Sequence, residues 1–198
     1  MLVAARGADQ RDRSLVGARD YGRPMHETPE DLAQLQRTID ASYDTAGPHL
    51  RSIFRPELRS SAEDLARSLT GVFVINLATV TAACEPLVAP VDGLFYRGRL
   101  WFGLPTRSLR VRLLRARPAV SATHMAGELS DTEGRCLIVH GAAQEVRFGH
   151  PMHAGYGEYA LSLYGLPIPD FTEDPLKGEI PTDFTGFIEP RRIYAQGY

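Results

Sequence analysis

The alternation of apolar and polar residues predicts helices near the start of the chain. A helix is predicted to begin at Pro29, because Thr28 is a good cap residue and proline suits the first helical position. Apolar side chains then recur at helical spacing as far as Tyr43. A second, shorter helix is predicted from Ser61, and Gly71 closes it. The N-terminal part of the folded chain is therefore predicted to be helical.

Apolar and β-branched runs follow, and they are typical of strands. A tight hairpin is predicted across Arg97-Gly98-Arg99, and Gly141 indicates a bulge or a point of close approach. Helices are predicted over 107–116, ending before Pro118, and over 151–164. Few helices and six to eight mostly antiparallel strands predict a mainly β (α+β) fold, a small barrel with N-terminal and peripheral helices. The predicted strands cover 72–80, 87–91, 94–97, 99–103, 119–125, 136–146, and 184–194 as one or two strands.

A basic helix start comes directly after the strand that ends near residue 103. Thr106, Arg107, Ser108 and Arg110 stand together there. A helix N-terminus offers free N–H groups and the positive end of the helix dipole, and guanidinium groups can complete the shell around a phosphate. Taken alone, such a cluster is more typical of a solvated helix face. Its position after a hairpin strand favours a phosphate site.

Several short motifs follow one another in a fixed order between residues 78 and 121. They are Ala78-Thr79-Val80, Pro86, Pro90-Val91-Asp92, Leu100-Trp101-Phe102-Gly103, Ser108-Leu109-Arg110 and Arg117-Pro118-Ala119-Val120-Ser121. In this order they resemble the pyridoxamine 5'-phosphate oxidase-like split-barrel family, whose members bind FMN or a deazaflavin. The resemblance covers residues 70–148, and the order of elements is more specific than any single motif.

The resemblance implies a split β-barrel and a cofactor site. Its phosphate group would lie at Gly103, Thr106, Arg107, Ser108 and Arg110. The edge of its ring would lie along Ala89, Pro90, Val91 and Asp92. The implied cofactor is FMN, with the deazaflavin coenzyme F-420 as the alternative. In this family the site usually lies between two subunits, which implies a homodimer.

The function implied by the resemblance is that of a flavin-dependent oxidoreductase, with hydride transfer through FMN to or from a small molecule. The alternatives are a deazaflavin-dependent reductase, or a non-catalytic carrier of a flavin, a deazaflavin or haem. True pyridoxine-phosphate oxidases have a basic residue in place of Ala89 and Tyr-Thr in place of Gly103-Leu104. Oxidation of vitamin B6 is therefore not expected.

Length and composition limit the remaining possibilities. The 198 residues and 43% hydrophobic content fit one domain over 28–198, with a helical part (28–70), a barrel core (71–148) and a closing part (149–198). Residues 1–27 are predicted to be a disordered leader. A net charge of −2 argues against a nucleic-acid binder, and no apolar run is long enough for a membrane helix. Two cysteines without metal-like spacing predict a cytoplasmic protein without a metal site.

His124 and His140 lie on consecutive predicted strands. Two histidines placed in this way could face one pocket, next to a flavin or as haem ligands. A lone histidine on a strand is more commonly a polar residue with satisfied hydrogen bonds.

Overall fold

The computed structural model describes residues 25–126, 134–147, 150–163, 165 and 184–198. The predicted leader over 1–27, the polar turn over 127–134 and the loop over 165–183 lie almost entirely outside these residues. Among the described residues, no helix combines the length and the apolar character that crossing a membrane requires.

The described part of the chain forms a closed barrel of six strands. They are β1 (Phe73–Val80), β2 (Pro86–Tyr96), β3 (Arg99–Leu104), β4 (Ala119–Ala126), β5 (Arg135–Glu145) and β6 (Phe184–Gln196). Around the barrel the order is β1-β2-β3-β6-β5-β4, and every neighbouring pair is antiparallel. The predicted mainly β, α+β barrel is thus confirmed.

Among the described residues, three α-helices precede the barrel: α1 (Pro29–Asp44), α2 (Pro48–Ile53) and α3 (Ala62–Ser68). Capping boxes fix where two of them begin. At the start of α1, Asp31 N–H donates to Thr28 Oγ1 at 3.2 Å, and Thr28 N–H donates to the Asp31 carboxylate at 2.9 Å. Leu35 of α1 and Leu65 of α3 are buried in the barrel core, so these helices fill the interior from one end.

The edge of β6 explains why α1 lies where it does. β6 pairs with β3 only over residues 184–188, so its C-terminal half has no strand partner on that edge among the described residues. Side chains of α1 satisfy this edge instead. Ser42 Oγ accepts from Ile193 N–H at 2.9 Å, and the buried Tyr43 hydroxyl donates to the Ala195 carbonyl at 2.8 Å. Unpaired backbone groups in a buried edge would otherwise be costly.

Two features of the strands depart from or refine the sequence-based boundaries. The predicted strands 87–91 and 94–97 are one strand, β2, because Gly93 continues it: a Cβ at Gly93 would lie 2.8 Å from Ile75 Cγ2. β6 is likewise one strand, the simpler of the two predicted forms. Gly141 is a point of close approach, the second of the two predicted forms, because a Cβ there would lie 2.1 Å from the Glu189 carbonyl oxygen; the register shifts beside it, with Arg191 as the extra residue on β6.

The hairpin between β2 and β3 is as tight as predicted. Arg97 and Gly98 form its two-residue loop with positive φ angles of 53° and 71°. Arg97 forms an ion pair with Asp31, which ties the hairpin to α1. Burial acts to raise the pKa of Asp31, but the hydrogen bonds from Arg97 and Thr28 outweigh it and hold that pKa below its usual value.

A second, smaller core lies on the outer face of the barrel. α5 (His153–Leu163) covers β2, β3 and β6 there and confirms the helix predicted over 151–164 within the described residues. Trp101 is fully buried and stacks on Tyr156, with ring centroids 4.1 Å apart. Its Nε1–H donates to the Tyr96 carbonyl at 2.9 Å. Tyr156 of α5 is therefore a packing residue.

Candidate functional site

The predicted phosphate element lies at the junction between β3 and the helix α4 (Leu109–Ala116). Ser108 is the N-cap of α4, and its Oγ accepts from Val111 N–H at 3.3 Å. Ser108 N–H donates to the Pro105 carbonyl at 2.8 Å, which closes the turn that contains Thr106 and Arg107. Val111 is buried, so packing against the barrel fixes the first turn of the helix.

Two buried polar atoms at this junction have no hydrogen-bond partner among the described residues. They are Thr106 Oγ1 and Arg110 Nε. A buried N–H or hydroxyl without a partner costs about 1–3 kcal/mol, so such atoms usually bind a ligand or a water molecule. Here a hydroxyl and a guanidinium N–H stand beside a helix N-terminus, and all three favour an anion. The junction therefore has the donors that a phosphate group requires.

The charges around the junction also favour an anion. No acidic residue lies in the first turn of α4, and the sequence from Arg99 to Ala126 contains neither Asp nor Glu. Arg115, one and a half turns along the same helix, differs from Arg110. Its guanidinium forms a bidentate pair with Glu145, at 3.1 Å from Nε and 2.6 Å from an Nη. Arg110 is thus the better candidate for a ligand contact, and Arg115 is a structural residue.

The candidate ring-binding residues Ala89, Pro90, Val91 and Asp92 lie in β2. β2 pairs with β1 over residues 86–93 but with β3 only from Gly93 onward. Among the described residues, the other edge of β2 over 86–92 has no strand partner. Pro90 lacks an N–H and is tolerated at such an edge. Pro90 and Asp92 are exposed, whereas Ala89 and Val91 are half-buried.

The open edge of β2 and the phosphate element lie at the same end of the hairpin. The register between β2 and β3 ends at Gly93 and Phe102. If it continued, Thr106 would be level with Ala89. Gly103, exposed in β3, lies between them, and a Cβ there would meet only a carbonyl oxygen at 3.9 Å. The predicted site residues therefore come from the same end of the β2–β3 hairpin and from the turn that follows it, with Arg107 exposed and Thr106, Ser108 and Arg110 half-buried.

The two histidines do not share a pocket. His124 pairs with Leu137, whereas His140 pairs with Ser121, three residues before His124 on the same strand. Because side chains alternate across a strand, His124 and His140 lie on opposite faces. Val74 O lies 2.9 Å from His124 Nδ1, and Ser121 Oγ lies 2.7 Å from His140 Nδ1. This arrangement does not provide a joint haem site.

Sequence reasoning missed the Ser121–His140 pair, because only the strand register brings the two residues together. The described residues contain no cluster of three metal-ligating side chains. Both cysteines are free thiols: Cys84 is exposed and Cys136 is partly buried. Burial raises the pKa of the Cys136 thiol.

Comparisons with known proteins identify the fold. Neither a protein-family model nor a curated protein sequence matches the chain. A conserved hypothetical protein from Mycobacterium tuberculosis matches with a TM-score of 0.58 and 21% identity, over 72% of this chain and 88% of that one. An FAD-binding protein from Mesorhizobium loti matches with a TM-score of 0.50 and 20% identity, over 69% of this chain and 92% of that one.

A further match is a candidate pyridoxamine 5'-phosphate oxidase from Listeria innocua, with a TM-score of 0.46 and 15% identity, over 63% of this chain and 89% of that one. At these identities the likeness concerns the fold alone. The chain therefore shares its barrel fold with the proteins from Mycobacterium tuberculosis and Mesorhizobium loti, and this fold agrees with the barrel that the sequence motifs predicted.

Proposed function

We propose that this protein binds a flavin, with FMN as the preferred form, and acts as a flavin-dependent oxidoreductase. The observation that carries the proposal is the pair of unpartnered buried atoms, Thr106 Oγ1 and Arg110 Nε, at the N-terminus of α4. A phosphate at this position would accept hydrogen bonds from both. Arg107 is exposed in the same turn and adds positive charge. The match to an FAD-binding protein of the same fold supports a flavin.

The ring would lie along the open edge of β2, where Ala89, Pro90, Val91 and Asp92 offer backbone groups. The bound flavin would supply the hydride chemistry, because amino-acid side chains do not themselves donate or accept hydride. The protein would supply position: β2 is held by β1 on its other edge, and α4 is fixed by its buried residues. A rigid border of this kind orients a cofactor without a catalytic acid or base.

Self-association is part of the proposal. Val74 and Val88 lie on the outer face of β1 and β2, and Met125 lies on the same face of β4. Their side chains are 55%, 62% and 76% exposed. An exposed apolar patch of this kind is typical of a protein interface. A twofold dimer through this face would bring a second subunit next to the edge of β2.

The only tryptophan, Trp101, gives a direct test of cofactor binding. It lies two residues before Gly103 in β3, so its side chain is on the same face as the proposed site. Flavins absorb where tryptophan emits, so FMN should quench the fluorescence of Trp101 with a saturable binding curve. Parallel titrations with coenzyme F-420 and haem identify the preferred cofactor. Absence of quenching and of any change in the visible spectrum with FMN would contradict the proposal.

Turnover is tested on the protein with FMN bound. Oxidation of a reduced nicotinamide in the presence of an electron acceptor would support an enzyme. Tight FMN binding without turnover, across nicotinamide and reduced deazaflavin donors, would instead indicate a carrier.

A further inference from the structure

A cluster of three side chains lies on the outer face of β4, β5 and β6, beside the exposed apolar patch formed by Val74, Val88 and Met125. It consists of Ser121, His140 and Arg192, which are neighbours across three adjacent strands. Ser121 and His140 are half-buried, and Arg192 is exposed. Ser121 Oγ lies 2.7 Å from His140 Nδ1. The proposed flavin site uses none of these residues.

The positive charge of Arg192 is not balanced by an acidic partner among the described residues. Arg192 forms no salt bridge with any described residue, whereas Arg99, Arg115 and Arg147 each pair with a glutamate. Burial lowers the pKa of His140, and the positive charge of Arg192 lowers it further. Around His140, the other facing groups are the Ser121 hydroxyl and the Tyr194 ring, 6.5 Å away. None of these groups is an anion.

We propose that Ser121, His140 and Arg192 form a binding site for a small oxyanion, a phosphate or carboxylate group. Arg192 supplies a charged donor. Ser121 supplies a hydroxyl whose direction depends on His140. When the imidazole is neutral with its proton on Nε2, Ser121 donates to Nδ1. When it is protonated, Nδ1–H donates to Ser121 Oγ, and the hydroxyl hydrogen becomes free to donate to the anion.

The site is therefore coupled to pH. An anion next to the imidazole favours its charged form and raises the pKa of His140. By linkage, the affinity for the anion increases as the pH falls through that pKa. A rise of one pKa unit corresponds to about tenfold tighter binding to the protonated form. We expect a rise of this order at saturating phosphate.

The test follows the C2 proton of His140 by NMR as a function of pH, in sodium phosphate and in sodium chloride at matched ionic strength. His140→Gln identifies the resonance among the six histidines. The site borders the proposed dimer face, so the protein is kept in its native oligomeric state. Acetate replaces phosphate in a third series, and a shift with phosphate only would assign the site to phosphoryl groups.

Two arginine variants separate the proposal from a general charge effect. Arg192→Ala should raise the pKa of His140 in chloride, because the repulsion is removed, and should abolish the shift caused by phosphate. Arg191→Ala removes the same charge one residue away. Arg191 is the extra residue of the register shift on β6, so this variant should retain the shift in the His140 pKa caused by phosphate. Ser121→Ala should reduce the shift and Ser121→Thr should retain it. An unchanged His140 pKa in phosphate, or an equal shift in Arg192→Ala, would overturn the proposal.

The outcome is independent of the flavin site. The measurement uses no cofactor and none of the residues on α4 or β2. Loss of FMN binding in an Arg110 variant would leave the oxyanion result unchanged, and the reverse holds for Arg192.

Discussion

Removal of the Arg110 guanidinium tests the proposed phosphate site most specifically. Its Nε is buried without a partner, so in the complex it would donate a charge-assisted hydrogen bond to the phosphate. Such a bond contributes about 1.5–3 kcal/mol. Since about 1.4 kcal/mol is a tenfold change, Arg110→Ala should weaken FMN binding by roughly 10- to 100-fold. The variant also removes an unsatisfied donor, so its folding stability without cofactor should not decrease.

Arg115→Ala is the matched control, because it removes the same charge from the same helix. Arg115 is engaged by Glu145, and its side chain is 43% exposed. Its loss should cost at most about 1 kcal/mol of stability, as for a surface salt bridge, and should change FMN affinity less than about threefold. Isothermal titration calorimetry of both variants gives the two dissociation constants. Equal losses of affinity would show that the anion site has been placed wrongly.

Four further predictions concern the barrel. Gly141→Ala should destabilise the fold by several kcal/mol or prevent it, since its Cβ would lie 2.1 Å from a backbone oxygen; thermal unfolding measures this. Tyr43→Phe should cost about 1 kcal/mol in urea unfolding through the lost 2.8 Å hydrogen bond. The lowered pKa of Asp31 stabilises the fold above pH 3.8, so the deficit of Asp31→Asn should shrink as the pH falls below that value. Val88→Glu should shift the mass measured by light scattering from dimer to monomer. An unchanged stability for Gly141→Ala or Tyr43→Phe, a pH-independent deficit for Asp31→Asn, or an unchanged mass for Val88→Glu would each contradict the contact that the substitution removes.

Local signals in the sequence were sufficient for most elements. Thr28 with Pro29 located the start of α1, and the Arg97-Gly98 turn located the hairpin, because both depend on interactions within a few residues. The close approach at Gly141 was also predicted. The long strand β2 was not, because Asp92 followed by Gly93 is also typical of a turn. In the structure Gly93 is compatible with a strand, since a Cβ there would lie 2.8 Å from Ile75 Cγ2.

The candidate site, too, could be predicted from the sequence only in part. The proposed phosphate element could be predicted from the sequence because its residues lie close together along the chain, and the structure adds that Thr106 and Arg110 carry the unpaired atoms. The Ser121–His140 contact could not be predicted, since it joins two strands and depends on their exact register. The same register separates His124 from His140. Contacts between strands therefore required the structure.

The most direct measurement compares FMN with riboflavin, which has the same ring but no phosphate. Both are titrated into the wild-type protein and into Arg110→Ala, with Trp101 fluorescence as the readout. The wild type should bind FMN roughly 10- to 100-fold more tightly than riboflavin, as expected for a phosphate held by charge-assisted hydrogen bonds, and Arg110→Ala should largely remove this difference without changing riboflavin affinity. Equal affinities for FMN and riboflavin in the wild type, or a difference that persists in the variant, would contradict the account.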